Sequence, residues 1–492
     1  MISVLYAPLF TTVYDGGREK ELGLMDLLAD AHLITELKAN SCTGKLALLR
    51  FCMAFLSDAY QLDKLYQRAD LLERGCFDKD LLLDYVHRCE QAGACFNLDD
   101  GKKPFMQAGY DEALDAKAEK SVAKIIFDRP GGNNHIHLDH RREDEHTVDT
   151  AYAFEAMLET YLFCPAGLSG ASGVNNTPPV YALVHGSNLF ETLVLNMVSC
   201  KEIGVIPYGH GEVAWRRGEN IIPGTKSVEM SLLKALTWQP RRLTLCWDED
   251  GMIRRLYLQN GFNFQGNGLW LDPHVIYRQT KDGTLASVKP ELGRELWRDA
   301  GNLVKGAQGI RTTVPLENIR EVVPEQSGSL DVEMVGLVTN QEAVLGRVNE
   351  RFKLPALLFE APERAAEFKN ALDICEAMYR ELDKAVKWQF CHPGDKKKRS
   401  DIAQQAGEVF LHAMRTVLFV QYLQWLRESL NFMERSRRYF DAMWTVLNDQ
   451  VLKGVIEQTG DDVPSIKRQN AVKGKVRKAY LSIRERSCGA NE

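Results

Sequence analysis

Apolar residues in the first part of the chain change period repeatedly, whereas those near the end keep a single helical period. Ile2 to Tyr14 alternates as a strand would and stops at Asp15-Gly16-Gly17. Helical spacing follows over Met25 to Leu37, over Leu46 to Leu56 behind Thr43 as cap, and over Leu81 to Cys89. Between Thr177 and Leu354 short strands and turns dominate, with one helix over Leu189 to Val198. Arg242 to Trp247 and Met252 to Leu258 predict a hairpin about Glu249-Asp250-Gly251. A second hairpin is predicted from Leu330 to Val338, turning at Thr339-Asn340-Gln341-Glu342 and returning through Ala343 to Phe352.

Beyond Pro362 the pattern is helical only. Phe368, Leu372, Cys375, Tyr379, Leu382 and Val386 recur at steps of four and three, an apolar seam suited to bundle packing. A second helix starts near Asp401 after the loop His392 to Ser400. A third carries Phe440, Trp444, Leu447, Val451 and Val455, and a fourth, after Pro464, carries Val472, Val476, Ala479 and Ile483. The fold class expected is α+β: a large mixed domain over residues 1–360, then a C-terminal four-helix bundle over 361–492.

Composition adds limits. With 492 residues the chain is too long for one core. An apolar fraction of 45% and a charged fraction of 26% are ordinary for a globular protein, and a net charge of −6 argues against a uniformly basic nucleic-acid binder. Eleven cysteines include no C-x-x-C pair, so neither a zinc ribbon nor a disulfide framework is indicated, and a reducing cytoplasm is expected. No basic region precedes the first apolar run, and Val417 to Leu426 is too short to span a bilayer, so no membrane partner is expected. Charge is nevertheless concentrated locally. Lys396-Lys397-Lys398-Arg399 sits in the first bundle loop. Val463 to Arg486 holds eight basic residues, Lys473, Lys475, Arg477 and Lys478 among them, against the single acid Glu485. Such a run is either a solvated helix face or a contact to phosphate backbone.

Two segments carry candidate chemistry. Pro165 to Pro179 has glycines at a spacing of three, Gly167, Gly170 and Gly173, among small polar residues. Glycines without Cβ let a large body approach the backbone closely, and the absence of a lysine after any of them excludes a P-loop. His135-Ile136-His137-Leu138-Asp139-His140 matches the H-x-H-x-D-H pattern of zinc hydrolases. Against that reading stand Arg141-Arg142, two cations beside a dication site, a helical upstream chain, and the poor spacing of His185, His210 and His274 as further ligands.

In order along the whole chain, several motifs resemble the large subunit of the type I-E CRISPR Cascade complex, the CasA family. They are Leu24 to Leu37 with Ala31-His32; Cys95-Phe96-Asn97-Leu98 leading to Pro104-Phe105-Met106-Gln107; Thr237-Trp238-Gln239-Pro240-Arg241; and Asn267-Gly268-Leu269-Trp270. The resemblance implies a non-enzymatic subunit without cofactor that works with the other Cascade subunits, crRNA, double-stranded target DNA and a recruited helicase-nuclease. It implies a protospacer-adjacent-motif (PAM) reading loop at Gly167 and Gly170, with Gly173 as the alternative register, and a duplex-opening wedge at Asn340 and Gln341. The loop Gly131 to His140 would contact the crRNA 5′ handle through Asn134, His137, Leu138 and Asp139, and the basic bundle faces would contact DNA backbone. Two departures follow from the same resemblance. Some members carry a PAM-contacting lysine where this chain has Gly261, preceded by Asn260, so PAM preference is expected to differ. Some have paired cysteines for zinc; the matching stretches near Val148 and Trp247 lack them, and no zinc is expected.

Overall fold

Helix Cys42–Tyr60 begins at Ser41, whose extended backbone precedes the first turn and whose hydroxyl accepts the Gly44 N–H. Thr43, expected as the cap, is instead buried inside the first turn with its hydroxyl bonded to Glu159. The structure, a computed structural model, describes every residue except 63, 130–145, 166–172, 176, 200, 203–208, 219, 267–269, 305–309, 324–327, 341–342, 391–395 and 490–492. It divides into two compact units, Met1–Leu296 with Gly309–Lys353, and Trp297–Gln308 with Leu354–Glu492.

The first unit is mixed α+β. Helix Cys42–Tyr60 is buried on nearly every side and packs on a second apolar helix, Thr150–Phe163, through Phe51 and Phe154, whose rings meet edge to face at 5.5 Å. Small antiparallel sheets surround this pair. Phe10–Tyr14 pairs with Glu19–Leu22 on one side and Ile34–Leu37 on the other. Arg241–Trp247 pairs with Ile253–Asn260, which in turn pairs with Glu119–Ser121. Ser329–Asn340 lies between Ala343–Pro355 and Val180–His185. The expected strand over Ile2 to Tyr14 shrinks to Phe10–Tyr14, and the expected helix over Met25 to Leu37 is helix Leu24–Ala29 followed by strand Ile34–Leu37. Ile34 and Leu37 keep the helical spacing of three, but pairing with Phe10–Tyr14 makes this half a strand.

The second unit is helical. Its main segments are Pro362–Phe390; Lys396–Thr416, continuing through a π-helical Val417–Tyr422 to Arg427; Phe432–Val446, continuing through a π-helical Leu447–Val451 to Thr459; and Val463–Gly489. Asn431 and Asp462 cap the third and fourth by accepting the Glu434 and Ser465 N–H groups, each at 2.8 Å. Phe368, Leu372, Cys375, Leu382 and Val386 are buried as the seam requires, but Met378 takes the core place expected for Tyr379. The Tyr379 ring instead lies 4.8 Å from the Arg298 guanidinium. Trp297, fully buried, packs edge to face on Phe419, which explains why a short stretch before residue 309 belongs with the helices.

Candidate nucleic-acid interface

The glycine segment is bounded by two anchored stems. Gly167 and Gly170 lie outside the described residues, as do residues 166–172 as a whole. On the near side, helix Thr150–Phe163 ends at Cys164 in the left-handed region, φ 38°, unusual for a residue with a Cβ. The next carbonyl, that of Pro165, accepts a hydrogen bond from Arg241 Nη2 at 2.9 Å, and Arg241 Nη1 reaches Asn260 Oδ1 at 3.5 Å. On the far side, a Cβ on Gly173 would lie only 3.0 Å from the Cys164 Cβ, so the two ends of the segment meet at a position that glycine suits. Two residues on, Asn175 Nδ2 donates to Tyr181 Oη at 2.9 Å and to Asp272 Oδ2 at 3.0 Å.

Asp272 is part of a buried polar network. Arg50 grips it with two hydrogen bonds of 2.9 Å, and Arg50 Nη1 also donates to His274 Nδ1 at 2.7 Å. With Nδ1 accepting, His274 is the neutral tautomer that donates from Nε2 to the Asn196 carbonyl at 2.7 Å. Burial, followed by the Arg50 charge, depresses the His274 imidazole to about 4. Burial alone would raise the Asp272 carboxyl, but the adjacent guanidinium outweighs it and holds the group below the usual carboxylate range.

Asn260 ends its strand beside Gly261, which is pressed into backbone. A Cβ there would stand 2.5 Å from the Gln239 carbonyl oxygen and 2.7 Å from the Arg241 nitrogen. Trp238, Phe262, Phe264 and Trp270 form the small core that fixes this corner. A lysine at 261 does not fit this backbone.

The hairpin Ser329–Asn340 and Ala343–Pro355 pairs with Val180–His185 only as far as Gly336, leaving its end beyond that strand. Asn340 is exposed at that end; Gln341 lies outside the described residues. Arg347 ties the returning strand down. It bonds Thr43 Oγ1 at 2.6 Å and Glu159 Oε1 at 3.0 Å, and pairs with Asp128. Burial raises the Glu159 carboxyl, with Arg347 opposing it. The H-x-H-x-D-H stretch with His135, Asn134, His137, Leu138, Asp139 and His140 is outside the described residues. Its flanks are placed: Arg129 Nη1 and His146 Nδ1 are 3.0 Å apart, and Asp149 caps helix Thr150–Phe163. Of the histidines weighed as further metal ligands, His185 bonds Glu333 at 2.7 Å and His274 belongs to the Arg50 network. Among the described residues no group of three or more His, Cys, Asp or Glu is arranged to hold a metal ion.

Helix Thr150–Phe163 is therefore the common support. Its start follows segment 130–145 in the sequence, Glu159 holds the hairpin through Arg347, and Cys164 leads into the glycine segment. Arg50, Glu159 and Arg347 were not singled out from the sequence, and Arg241 entered only as the last residue of a quoted motif. For Arg50 and Glu159 the available signal was a charge inside a largely apolar helix, which a buried position tolerates only with a partner.

The basic residues of helix Val463–Gly489 do not share one face. Lys396, Lys397 and Lys398 open helix Lys396–Thr416. Lys475 and Lys478 line a groove beside Pro362–Phe390, whereas Lys473 and Arg477, also exposed, are not among its lining residues. No helix among the described residues is long and apolar enough to cross a membrane.

Comparison with known proteins agrees with this fold. The family model of CRISPR-associated protein Cse1 (CRISPR_cse1) matches residues 7–443. The CRISPR-associated protein CasA/Cse1 of Thermus thermophilus is 26% identical over 395 residues, covering 74% of this chain and 73% of that protein. A crystal structure of a CRISPR-associated protein from Thermus thermophilus superposes with a TM-score of 0.79 at 19% identity, over 98% of this chain and 99% of that one. A chain of a CRISPR RNA-guided surveillance complex superposes with a TM-score of 0.77 at 19% identity, again over 98% and 99%.

Proposed function

The chain belongs to the CRISPR-associated Cse1 family, and on that premise we propose that it is the DNA-recognition subunit of a crRNA-guided surveillance complex. In this reading it performs no chemistry of its own. It reads the PAM in double-stranded DNA through Gly167 and Gly170, begins strand separation with Asn340 and Gln341, and holds the crRNA 5′ handle with Asn134, His137, Leu138 and Asp139. Its partners are the other subunits of the complex, the crRNA, the target duplex and a helicase-nuclease that it helps to recruit.

The observation that carries this reading is that helix Thr150–Phe163 links three elements: it follows the Arg129–His146 contact that flanks residues 130–145, it leads through Cys164 into the near stem of the glycine segment, and its Glu159 holds the Arg347 tether of the hairpin. Reading a motif and opening the adjacent base pairs require a groove contact and a wedge in fixed relation, since a displacement of either element wastes the other. Backbone presented at glycine suits minor-groove readout, whose hydrogen-bond code is degenerate and shallow. A wedge then offsets unstacking, about a few kcal/mol per step, with contacts to the opened strands.

Binding by the assembled, guide-loaded complex separates the two roles. Gly167→Asp places a carboxylate against phosphate and is expected to weaken binding to PAM-bearing duplex by roughly tenfold or more, within the 1–3 kcal/mol of a lost base contact. Gln341→Ala is expected to weaken binding to closed duplex while sparing a target already unpaired beside the PAM. If neither substitution changes target binding, the assignment of roles is wrong.

A further inference from the structure

The helical unit carries a basic groove with an aromatic ring exposed beside it. Helices Pro362–Phe390 and Val463–Gly489 pack together and leave a cleft of about 650 Å³ between their outer faces. Arg380 and Lys384 line it from one helix, and Lys475, Lys478 and Arg486 from the other. The acid on its wall, Glu381, is already paired with Lys384 at 2.9 Å, so the cleft keeps a surplus of positive charge.

Trp388 lines the same groove and is 74% exposed. The neighbouring core positions Leu382, Ala385 and Val386 are buried, so the indole is not a displaced packing residue. Lys475 Nζ sits over the Trp388 ring, 4.9 Å from its centroid, so a phosphate-binding cation covers one face of the indole and a base would stack on the other. Cations alone would suit any polyanion. An exposed indole beside them suits one whose bases are free to stack, because a duplex presents its bases already stacked on each other.

We propose that the groove between helices Pro362–Phe390 and Val463–Gly489 binds single-stranded nucleic acid, with one base stacked on Trp388 and the adjoining phosphates held by Lys475, Lys478 and Arg380. The proposal rests on the reading that the chain acts on DNA, and adds to it a site that prefers an unpaired strand.

The test is fluorescence anisotropy of the full chain with a labelled oligothymidylate of about 12 nucleotides, a length within the usual site sizes of such grooves, against a duplex of equal length. Trp388→Ala is expected to weaken single-strand binding about tenfold, as loss of one stacked base does, and to leave duplex binding within about twofold. Trp388→Phe retains most of the affinity. Lys475→Gln with Lys478→Gln weakens both and flattens the salt dependence by about 0.7 per lost phosphate contact on the single strand. Trp388 is exposed, so an unchanged melting temperature confirms that the Ala variant is folded. Unchanged oligothymidylate binding by Trp388→Ala, an equal loss on duplex, or no oligothymidylate binding by the intact chain at low salt each overturn the proposal. The last result would instead fit an acidic protein partner. None of these outcomes alters the expected effects of Gly167→Asp and Gln341→Ala in the assembled complex, so the two readings fail separately.

Discussion

Arg50→Ala is expected to cost about 3–5 kcal/mol of folding stability, the usual penalty for stranding one member of a buried ion pair. Asp272 would lose its guanidinium and keep its burial. The pH dependence should change with it. In the intact protein the Asp272 carboxyl is depressed, so its contribution is present above its unfolded value, about 3.9, and is lost as pH falls through the folded value. His274 acts in the same sense. At about 4 in the fold against roughly 6.5 unfolded, it binds fewer protons than the unfolded chain between those values, so stability declines as pH drops through that window.

Without Arg50 the largest opposition to burial is gone, only His274 and Asn175 are left to lower the Asp272 carboxyl, and it rises from its place in the intact protein. Between the two folded values the variant binds a proton that the intact protein does not, so the variant's deficit is largest near neutrality and shrinks toward roughly pH 5. Denaturant midpoints at the two pH values measure this directly. A deficit below about 1 kcal/mol, or one that grows on acidification, would show that the network is not what holds this corner. The same network seats Asn175, so its loss also releases the far stem of the glycine segment.

Gly261→Lys, which would place at this corner the lysine that the resemblance led one to look for, is expected to fail for a packing reason. The new Cβ would overlap the Gln239 carbonyl and the Arg241 amide, both backbone, and neither can rotate away as a side chain would. Overpacking of this kind costs about 1–3 kcal/mol. Gly261→Ala should show nearly the same fall in melting temperature, because the clash begins at Cβ and not at the ammonium. Arg241, held at the clash, also carries the Pro165 carbonyl and Asn260, so DNA binding by the complex should fall with stability and not improve. Tighter binding by Gly261→Lys at an unchanged melting temperature would contradict this account of the corner.

Much of the architecture was legible because its signals are local. The long hairpin ending at Asn340 follows from two alternating runs about a polar turn, and the helical unit from a seam at steps of three and four. Helix Thr150–Phe163 was not legible. It is apolar on almost every side and has no amphipathic period to read. The tethers were equally hidden, because they are set by tertiary placement: Arg347 meets Glu159 from 188 residues away and Arg50 meets Asp272 from 222. Within the helical seam, Met378 fits the steps between Cys375 and Leu382 as well as Tyr379 does, and Tyr379 lies instead against Arg298 from a distant stretch of chain. The glycine spacing pointed to a close-approach loop, and what the fold adds is how its ends are held.

The most direct test of DNA recognition by this chain is a reconstitution by omission. Guide-loaded complex assembled with and without the chain is titrated against a matching duplex whose flanking motif is intact or scrambled. The account predicts that scrambling the motif weakens binding by roughly tenfold or more when the chain is present, and that this dependence disappears when it is left out. Equal dependence on the motif in both assemblies would contradict it.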